Sequence, residues 1–295
     1  MLKSPSRLEP GRAFFLKRND ISSNMALKNA MERRTVAVGQ VRFGLDFVFI
    51  AGPCAVEGEE LTLAVAREVR KAGARILRGG AFKPRTSPYS FQGLEAEGLR
   101  ILKTAGLETG LPVVTEVMDT RHAGLVFEYA DMLQLGSRNM HNVPLLRELG
   151  RLRKPVLLKR GMSATLEEWI EAAETILAGG NDQIVLCERG IRTFESHTKN
   201  TLDLGGAVLA RQRLPWPVIV DPSHATGRAD LIEPMSLAAA AAGMDGLMIE
   251  VHPRPDQALS DREQQITPHV FARIAGRVRA LRDAMGRDPL LAQAL

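Results

Sequence analysis

Short apolar runs recur along the chain from residue 47 onward, and a longer segment of helical periodicity follows each of them. Runs of this kind, rich in Val, Ile and Leu and bounded by polar residues, are typical of parallel strands buried on both faces. They predict strands over residues 47–51, 75–77, 112–116, 131–135, 155–158, 183–187, 217–220 and 246–249. The regular alternation with helices indicates an α/β fold with right-handed crossovers.

The segments between the runs predict helices, for example over residues 60–71, 95–109, 165–177 and 231–242, with a closing helix over 269–285. About eight such units fit one (β/α)8 TIM barrel. A doubly wound open sheet is the alternative, but no G-x-G-x-x-G motif follows the first run. Weak alternation over residues 36–47, with Gly39 and Gly44, predicts a short hairpin before the barrel. We therefore expect one barrel domain, hairpin included, over residues 36–295.

The net charge of +5 is concentrated at the amino terminus. Residues 1–35 hold eight of the 39 basic and three of the 34 acidic residues, which leaves 31 of each sign for the remaining chain. The segment lacks the apolar core of a secretory signal and the aromatic interleaving of a nucleic-acid-binding arm. We expect a poorly ordered basic extension; a nucleic-acid arm and an organelle transit peptide are the alternatives.

Composition excludes several classes of protein. No stretch approaches the roughly 20 apolar residues of a transmembrane helix, and two cysteines do not suggest a disulfide framework. We predict a cytoplasmic protein that binds neither membrane nor nucleic acid. Several residues are expected to lie outside the site: Cys187 as a core residue, Trp169 and Trp216 as core or interface residues, and His122, His141, His197 and His269 as surface or packing residues.

One loop concentrates positive charge between a predicted strand and a predicted helix. Residues 78–93 hold Arg78, Lys83 and Arg85 with three glycines and two prolines, but no carboxylate. Glycine permits close approach of a ligand to the backbone and proline stiffens the loop, while like charges repel unless an anion lies between them. The loop predicts a pocket for a small, multiply charged anion such as a phosphate ester, rather than a solvated surface loop.

Polar residues follow every predicted strand, where the active sites of (β/α)8 barrels lie. Five cations form one set able to bind phosphate and carboxylate groups: Arg78, Lys83, Arg138, Lys159 and Arg189. A second set suits a divalent metal ion such as Mn, Fe, Co or Zn: Cys54, His224, Glu250 and either His252 or Asp261. The second set comes together only if the barrel closes, because its members follow the first, seventh and eighth strands.

Several long motifs stand in a recognisable order: AGPCAVE, LRGGAFKPRTSPYSFQG, GSRNMHN, LLKRG, LCERGIRTFE, VDPSHATGR, and IEVHP followed by ALSD. Residues 47–285 thereby resemble the 3-deoxy-D-arabino-heptulosonate 7-phosphate (DAHP) synthases, in the short type I subgroup related to 3-deoxy-D-manno-octulosonate 8-phosphate (KDO8P) synthase. The resemblance implies a metal-dependent transferase that condenses phosphoenolpyruvate with erythrose 4-phosphate and water, the first step of the shikimate pathway.

The resemblance also implies a role for individual residues. The metal ligands would be Cys54, His224, Glu250 and Asp261. The residues that bind phosphoenolpyruvate would be Arg78, Lys83, Ser137, Arg138, Lys159 and Arg189, and those that meet the aldose phosphate would be Pro84, Arg85, Thr86 and Ser87. Lys83, Cys54, His224 and Glu116 would act in catalysis, with Glu116 as a partner for water or a proton.

Two features depart from the family or leave alternatives open. Arg262 follows Ser260-Asp261 where the family usually has glycine, which puts the geometry of that loop in question. We expect no appended regulatory domain, and so either an unregulated enzyme or control by a partner such as a separate chorismate mutase, in a homodimer or homotetramer. KDO8P synthase is the nearest alternative, but its loop typically carries an inserted residue that residues 83–87 lack. A catalytically silent barrel with a regulatory role is the alternative outside enzymes.

Overall fold

The computed structural model describes residues 33–83, 89 and 91–286. A hairpin of two short antiparallel strands, β1 (Val36–Val38) and β2 (Val41–Phe43), precedes a closed barrel of eight parallel strands. The barrel strands are β3 (Val48–Gly52), β4 (Ile76–Arg78), β5 (Val113–Glu116), β6 (Met132–Leu135), β7 (Val156–Lys159), β8 (Ile184–Glu188), β9 (Val218–Val220) and β10 (Gly246–Glu250).

Helices connect the strands and cover the outside of the barrel. They are α1 (Glu59–Ala72), α2 (Glu95–Thr109), α3 (Thr120–Tyr129), α4 (Val143–Arg151), α5 (Leu166–Ala178), α6 (Leu204–Arg213), α7 (Pro222–Thr226), α8 (Ala229–Ala241) and α9 (Pro268–Met285). Short 3-10 turns lie at Ser137–Asn139, Pro255–Gln257 and Arg262–Gln264. Local sequence sets several helix starts; Thr165 and Glu168 form a reciprocal capping box at α5.

Side chains along each barrel strand alternate between the inside and the outside of the barrel, and this alternation divides the core into two layers. Inward side chains such as Ile50, Val114 and Leu157 form the barrel interior, and outward ones such as Phe49 and Leu158 pack against the helices. The hairpin residues Val36, Val38, Val41 and Phe43 belong to the interior cluster. The amide of Arg34 donates to the carbonyl of Pro215, just before β9. The hairpin therefore closes the amino-terminal end of the barrel and leaves the opposite end as the mouth.

The predicted TIM barrel is confirmed, and its strands lie within one residue of the predicted bounds. β10 pairs with both β9 and β3, so the sheet closes and the open-sheet alternative is wrong. The hairpin over residues 36–47 is also confirmed. Cys187, Trp169 and Trp216 are buried as expected. Over the described part of the chain, no helix combines the length and apolarity needed to cross a bilayer.

Candidate active site

A polar pocket opens at the carboxyl ends of the barrel strands. Most of the predicted site residues that the structure describes line it, and they lie at the carboxyl ends of the barrel strands or in the loops that follow. The pocket is lined by Arg78, Gly79, Gly80, Lys83, Val114, Thr115, Glu116, Gln134, Gly136, Ser137, Arg138, Lys159, Met162, Arg189, Lys199, His224 and Asp261. Pro84, Arg85, Thr86 and Ser87 lie outside the described residues, so their predicted contact with the aldose phosphate stays a prediction.

Barrel closure brings the predicted metal ligands together. Glu250 at the end of β10 lies in register with Gly52 of β3, which leads into Cys54. Ligand atoms of Cys54, Glu250 and Asp261 all lie within 4.8 Å of one another. The Nε2 atom of His224 is 3.4 Å from Glu250 Oε1, on the edge of this cluster. A thiol, two carboxylates and an imidazole form a donor set that fits a borderline divalent cation.

Burial and neighbouring charges tune these groups. Burial, with a smaller effect of the Glu250 carboxylate, raises the pKa of the Cys54 thiol to about 12. Burial would raise the pKa of Glu250, but His224 and Arg78 outweigh it and lower the pKa below its usual value. The Lys83 ammonium lies 3.0 Å from Cys54 Sγ. Without a bound cation the cluster therefore holds a neutral thiol beside charged carboxylates.

Arg262 does not displace Asp261 from the cluster. Asp261 adopts a left-handed backbone conformation with φ of 48°, which aspartate tolerates better than most residues. Its Oδ2 lies 3.2 Å from Cys54 Sγ, while Arg262 turns away and donates from Nε to the carbonyl of Ala258 at 2.6 Å. The usual glycine is thus not needed for this geometry.

His252 was the alternative to Asp261, and the structure places it in a different contact. Its Nδ1 accepts a hydrogen bond from the amide of Arg254, and its Nε2 faces Glu57 Oε2 at 3.5 Å. The other oxygen of Glu57 accepts from the amide of Leu259. His252 and Glu57 therefore brace the loop that carries Asp261, and among the described residues the metal cluster includes Asp261 rather than His252.

Asp221 links the metal cluster to the cationic set. Its Oδ2 accepts from Lys159 Nζ at 2.5 Å and from His224 Nδ1 at 2.7 Å, and its Oδ1 accepts from the amide of His224. Burial would raise the pKa of Asp221, but His224 and Lys159 hold it well below its usual value. Burial also lowers the pKa of His224, which favours the neutral imidazole that metals bind.

The cations of the predicted anion pocket differ in whether a carboxylate of the protein pairs with them. Arg78 donates to Glu250 Oε1 at 2.8 Å, and Lys159 pairs with Asp221. Arg189 is only 6% exposed, and its guanidinium donates to the carbonyl of Gly190 at 3.5 Å. Burial lowers its pKa. Among the described residues Arg189 is the buried cation without a salt bridge, and such a group calls for an anionic ligand.

Glu116 lies at the end of β5 with its carboxylate held at the pocket wall. Gln134 Nε2 donates to Glu116 Oε2 at 3.2 Å. A Cβ atom on Gly136 would lie 2.0 Å from Glu116 Oε1, so only glycine at this position leaves the carboxylate its place. Ser137 and the exposed Arg138 follow directly in the 3-10 turn and line the same pocket.

Besides Asp221, sequence reasoning missed four residues that shape the site. Gln134 and Met162 line the pocket beside Glu116 and Arg189, and Lys199 brings a further ammonium to its wall. Gln264 donates from Nε2 to Glu250 Oε2 at 2.7 Å and accepts from Lys199 at 3.0 Å. Gln134 lies two residues after the inward-facing Met132 of the same strand, and this spacing could have identified it. Lys199 and Gln264 lie within long loops, and no periodicity marks them.

Comparison with known proteins agrees with this geometry. The DAHP synthetase I family model matches residues 25–286. The phospho-2-dehydro-3-deoxyheptonate aldolase of Thermotoga maritima is 47% identical over 256 residues, which cover 86% of this chain and 76% of the relative. A 2-dehydro-3-deoxyphosphooctonate aldolase of Syntrophotalea carbinolica is 34% identical over 247 residues, 77% of this chain and 88% of the relative.

Solved structures give the same result. The crystal structure of the Thermotoga maritima DAHP synthase superposes with a TM-score of 0.84 at 46% identity, covering 86% of this chain and 75% of that one. A truncated form of the same synthase gives a TM-score of 0.81 at 44% identity, covering 86% of this chain and 94% of that one. The barrel, the ordered motifs and these likenesses agree, and the chain belongs to the DAHP synthetase I family.

Proposed function

We propose that the mouth of this barrel condenses phosphoenolpyruvate with erythrose 4-phosphate and water, giving DAHP and inorganic phosphate. This is the DAHP synthase reaction, the activity of the family to which the chain belongs. The observation that carries the assignment to this pocket is Arg189, a buried guanidinium without a salt bridge among the described residues. It lies in one pocket with Arg138 and Lys159.

The cationic set would hold phosphoenolpyruvate. Arg138, Lys159 and Arg189 reach the pocket from the ends of three consecutive strands, β6, β7 and β8. Arginine can bind a phosphate or a carboxylate through two parallel hydrogen bonds, so the set suits a ligand that carries both. Two anionic substrates repel each other in water, and fixed cations offset that repulsion while they orient the reacting atoms.

Cys54, His224, Glu250 and Asp261 would hold the divalent cation. Bound there, it would act as a Lewis acid that polarises the aldehyde oxygen of the aldose. The donor set supports Mn, Fe, Co or Zn rather than a cation that prefers oxygen ligands alone, because it includes a thiol and an imidazole. Lys83 lies against Cys54 on the pocket side, where its ammonium could contact both the cluster and the bound substrate.

The bond changes follow from the substrates. C3 of phosphoenolpyruvate attacks the aldehyde carbon, and the former carbonyl oxygen takes a proton to become a hydroxyl. Positive charge develops at C2, and water adds there with loss of one proton. Phosphate then leaves with its bridging oxygen as the C2–O bond breaks, and the new C2 hydroxyl loses its proton to become the ketone. Glu116 is the carboxylate positioned on the pocket wall to orient that water or accept its proton.

The experiment is a phosphate-release assay on the Cys54→Ala variant and on wild-type protein from which a chelator has removed the metal ion. Both should lose DAHP formation because a ligand or the cation is missing, and adding Mn²⁺ should restore only the wild type. The melting temperature of the metal-free variant should match that of the metal-free wild type, since Cys54 lies above the strands. Turnover by Cys54→Ala near the wild-type rate in chelator would overturn the metal assignment.

A further inference from the structure

The carboxylate of Asp221 is shared between the two halves of the site. It lies at the end of β9, is fully buried, and accepts from Lys159 of the cationic set and from His224 of the metal cluster through one oxygen. The donors come from different elements, β7 and α7. One buried group thus sets the position of two side chains with separate tasks.

The contacts assign a tautomer to His224. Nδ1 lies 2.7 Å from Asp221 Oδ2, whereas Nε2 lies 3.4 Å from Glu250 Oε1. In a neutral imidazole one nitrogen carries the proton, and the shorter contact to a carboxylate places it on Nδ1. The lone pair of Nε2 then points toward Glu250 and the metal cluster. A carboxylate that orients a metal-binding histidine in this way also strengthens its donor character.

The same oxygen holds Lys159 in place. The Lys159 side chain is 4% exposed, and a buried ammonium without a partner is costly. Asp221 is its salt-bridge partner at 2.5 Å. Substitution of the carboxylate by an amide would remove the negative charge that stabilises the ammonium at the pocket wall.

We propose that Asp221 is a positioning residue on which both metal binding and phosphoenolpyruvate binding depend. The inference rests on the proposed function, because it takes His224 as a ligand and Lys159 as a substrate contact. It goes further by naming a residue that contacts neither ligand and yet supports the affinity for both.

The test compares Asp221→Asn with Asp203→Asn. Asp203 is a matched control: it caps α6 through the amide of Gly206 and accepts from the buried Arg160, but it lies outside the pocket and the metal cluster. Co²⁺ affinity is read from the thiolate-to-cobalt absorption, and phosphoenolpyruvate affinity from calorimetry on the metal-loaded protein. Asp221→Asn should weaken Co²⁺ binding by about 10- to 100-fold. It should weaken phosphoenolpyruvate binding by about tenfold, as expected for a lost charge-assisted contact.

The control should keep both affinities, whatever its effect on the melting temperature. Loss of only one affinity in Asp221→Asn, or of neither, would overturn the inference and leave the proposed function standing. A wild-type protein that bound neither Co²⁺ nor phosphoenolpyruvate would overturn both.

A second measurement needs no variant at the shared carboxylate. In Zn²⁺-loaded wild-type protein labelled with ¹⁵N-histidine, the His224 ring should bind the metal ion through Nε2 and keep its proton on Nδ1, beside Asp221. The signal is assigned by its loss in His224→Gln. A ring protonated on Nε2 alone would contradict the positioning role even if Asp221→Asn failed to fold.

Discussion

Cys54 and Cys187 are both fully buried, yet their positions give them different chemistry. Burial raises the pKa of each thiol. Cys187 points into the barrel interior among Val185 and Ile219, where it packs as a small apolar side chain. Cys54 lies beyond the end of its strand, within contact of Asp261 and Lys83. Position at the strand end, rather than burial, distinguishes the candidate ligand from the packing residue.

Metal binding at Cys54 should release a proton. The thiol is protonated below its pKa of about 12, and the metal binds the thiolate, so metal affinity should increase with pH. Burial lowers the pKa of His224, so this residue is largely neutral at pH 7–8 and contributes little to the release. We expect about one proton per metal ion and about a tenfold gain in affinity per pH unit.

The measurement is Mn²⁺ or Co²⁺ titration in weakly buffered indicator solution between pH 6.5 and 8.5. The Cys187→Ala variant should release the same proton, since Cys187 lies outside the cluster. Metal affinity that did not change with pH would contradict thiolate ligation.

Two arginines of the pocket should respond differently to truncation. Arg189 is buried, so Arg189→Ala should weaken the binding of the anion by about 2–5 kcal/mol. This corresponds to an increase of roughly thirtyfold or more in the KM for phosphoenolpyruvate. Arg138 is exposed, and water screens its contact; we expect the Arg138→Ala effect to be smaller, about five- to tenfold. Initial-rate kinetics of both alanine variants test the order. Unchanged KM and turnover in either variant would remove that residue from the site.

At the scale of the elements, the residue that follows β6 determines where the side chain at the end of β5 can lie. Gly136 leaves room for the Glu116 carboxylate, which a Cβ atom would meet at 2.0 Å. Gly136→Ala should therefore displace Glu116 and lower turnover by about 10²-fold, the order typical of a lost general acid or base.

The matched control is Gly124→Ala within α3, where a Cβ atom would meet no described atom within 4 Å. This exposed helical position should gain about 0.5–1 kcal/mol of stability with unchanged turnover. Activity of Gly136→Ala equal to that of the control would show that Glu116 has no catalytic part.

The sequence predicted the strands and helices well because the patterns that indicate them involve residues close together in the chain. Buried strands read as apolar runs, and Thr165 with Glu168 marks a helix start. The predicted cluster of Cys54 with Glu250 needed one further step, barrel closure, which the β3–β10 pairing confirms. The roles of Lys199, Gln264 and Asp221 depend on contacts between distant loops and side chains. Local pattern holds no information on such contacts, so the sequence could not predict them.

At the scale of the whole molecule, one end of the barrel holds two sets of groups, one suited to a cation and the other to an anion. The metal cluster carries the carboxylates of Glu250 and Asp261, and the anion pocket carries Arg138, Lys159 and Arg189. Asp221 lies between them and pairs with both. The metal cluster and the anion pocket suit a reaction that joins two anions. Discrimination between a four-carbon and a five-carbon aldose phosphate depends on a different part of the site.

The choice of aldose phosphate is the most direct test of the account. The central claim is DAHP synthesis, and the short loop over residues 83–87, without an inserted residue, predicts a fixed anchor for the phosphate of erythrose 4-phosphate. One extra carbon displaces that phosphate by more than about 1 Å, which positioning arguments equate with roughly a hundredfold loss. The measurement is the specificity constant kcat/KM for erythrose 4-phosphate against arabinose 5-phosphate, at saturating phosphoenolpyruvate and Mn²⁺. We expect erythrose 4-phosphate to be preferred by about a hundredfold; equal or reversed preference would contradict the assignment and favour KDO8P synthesis.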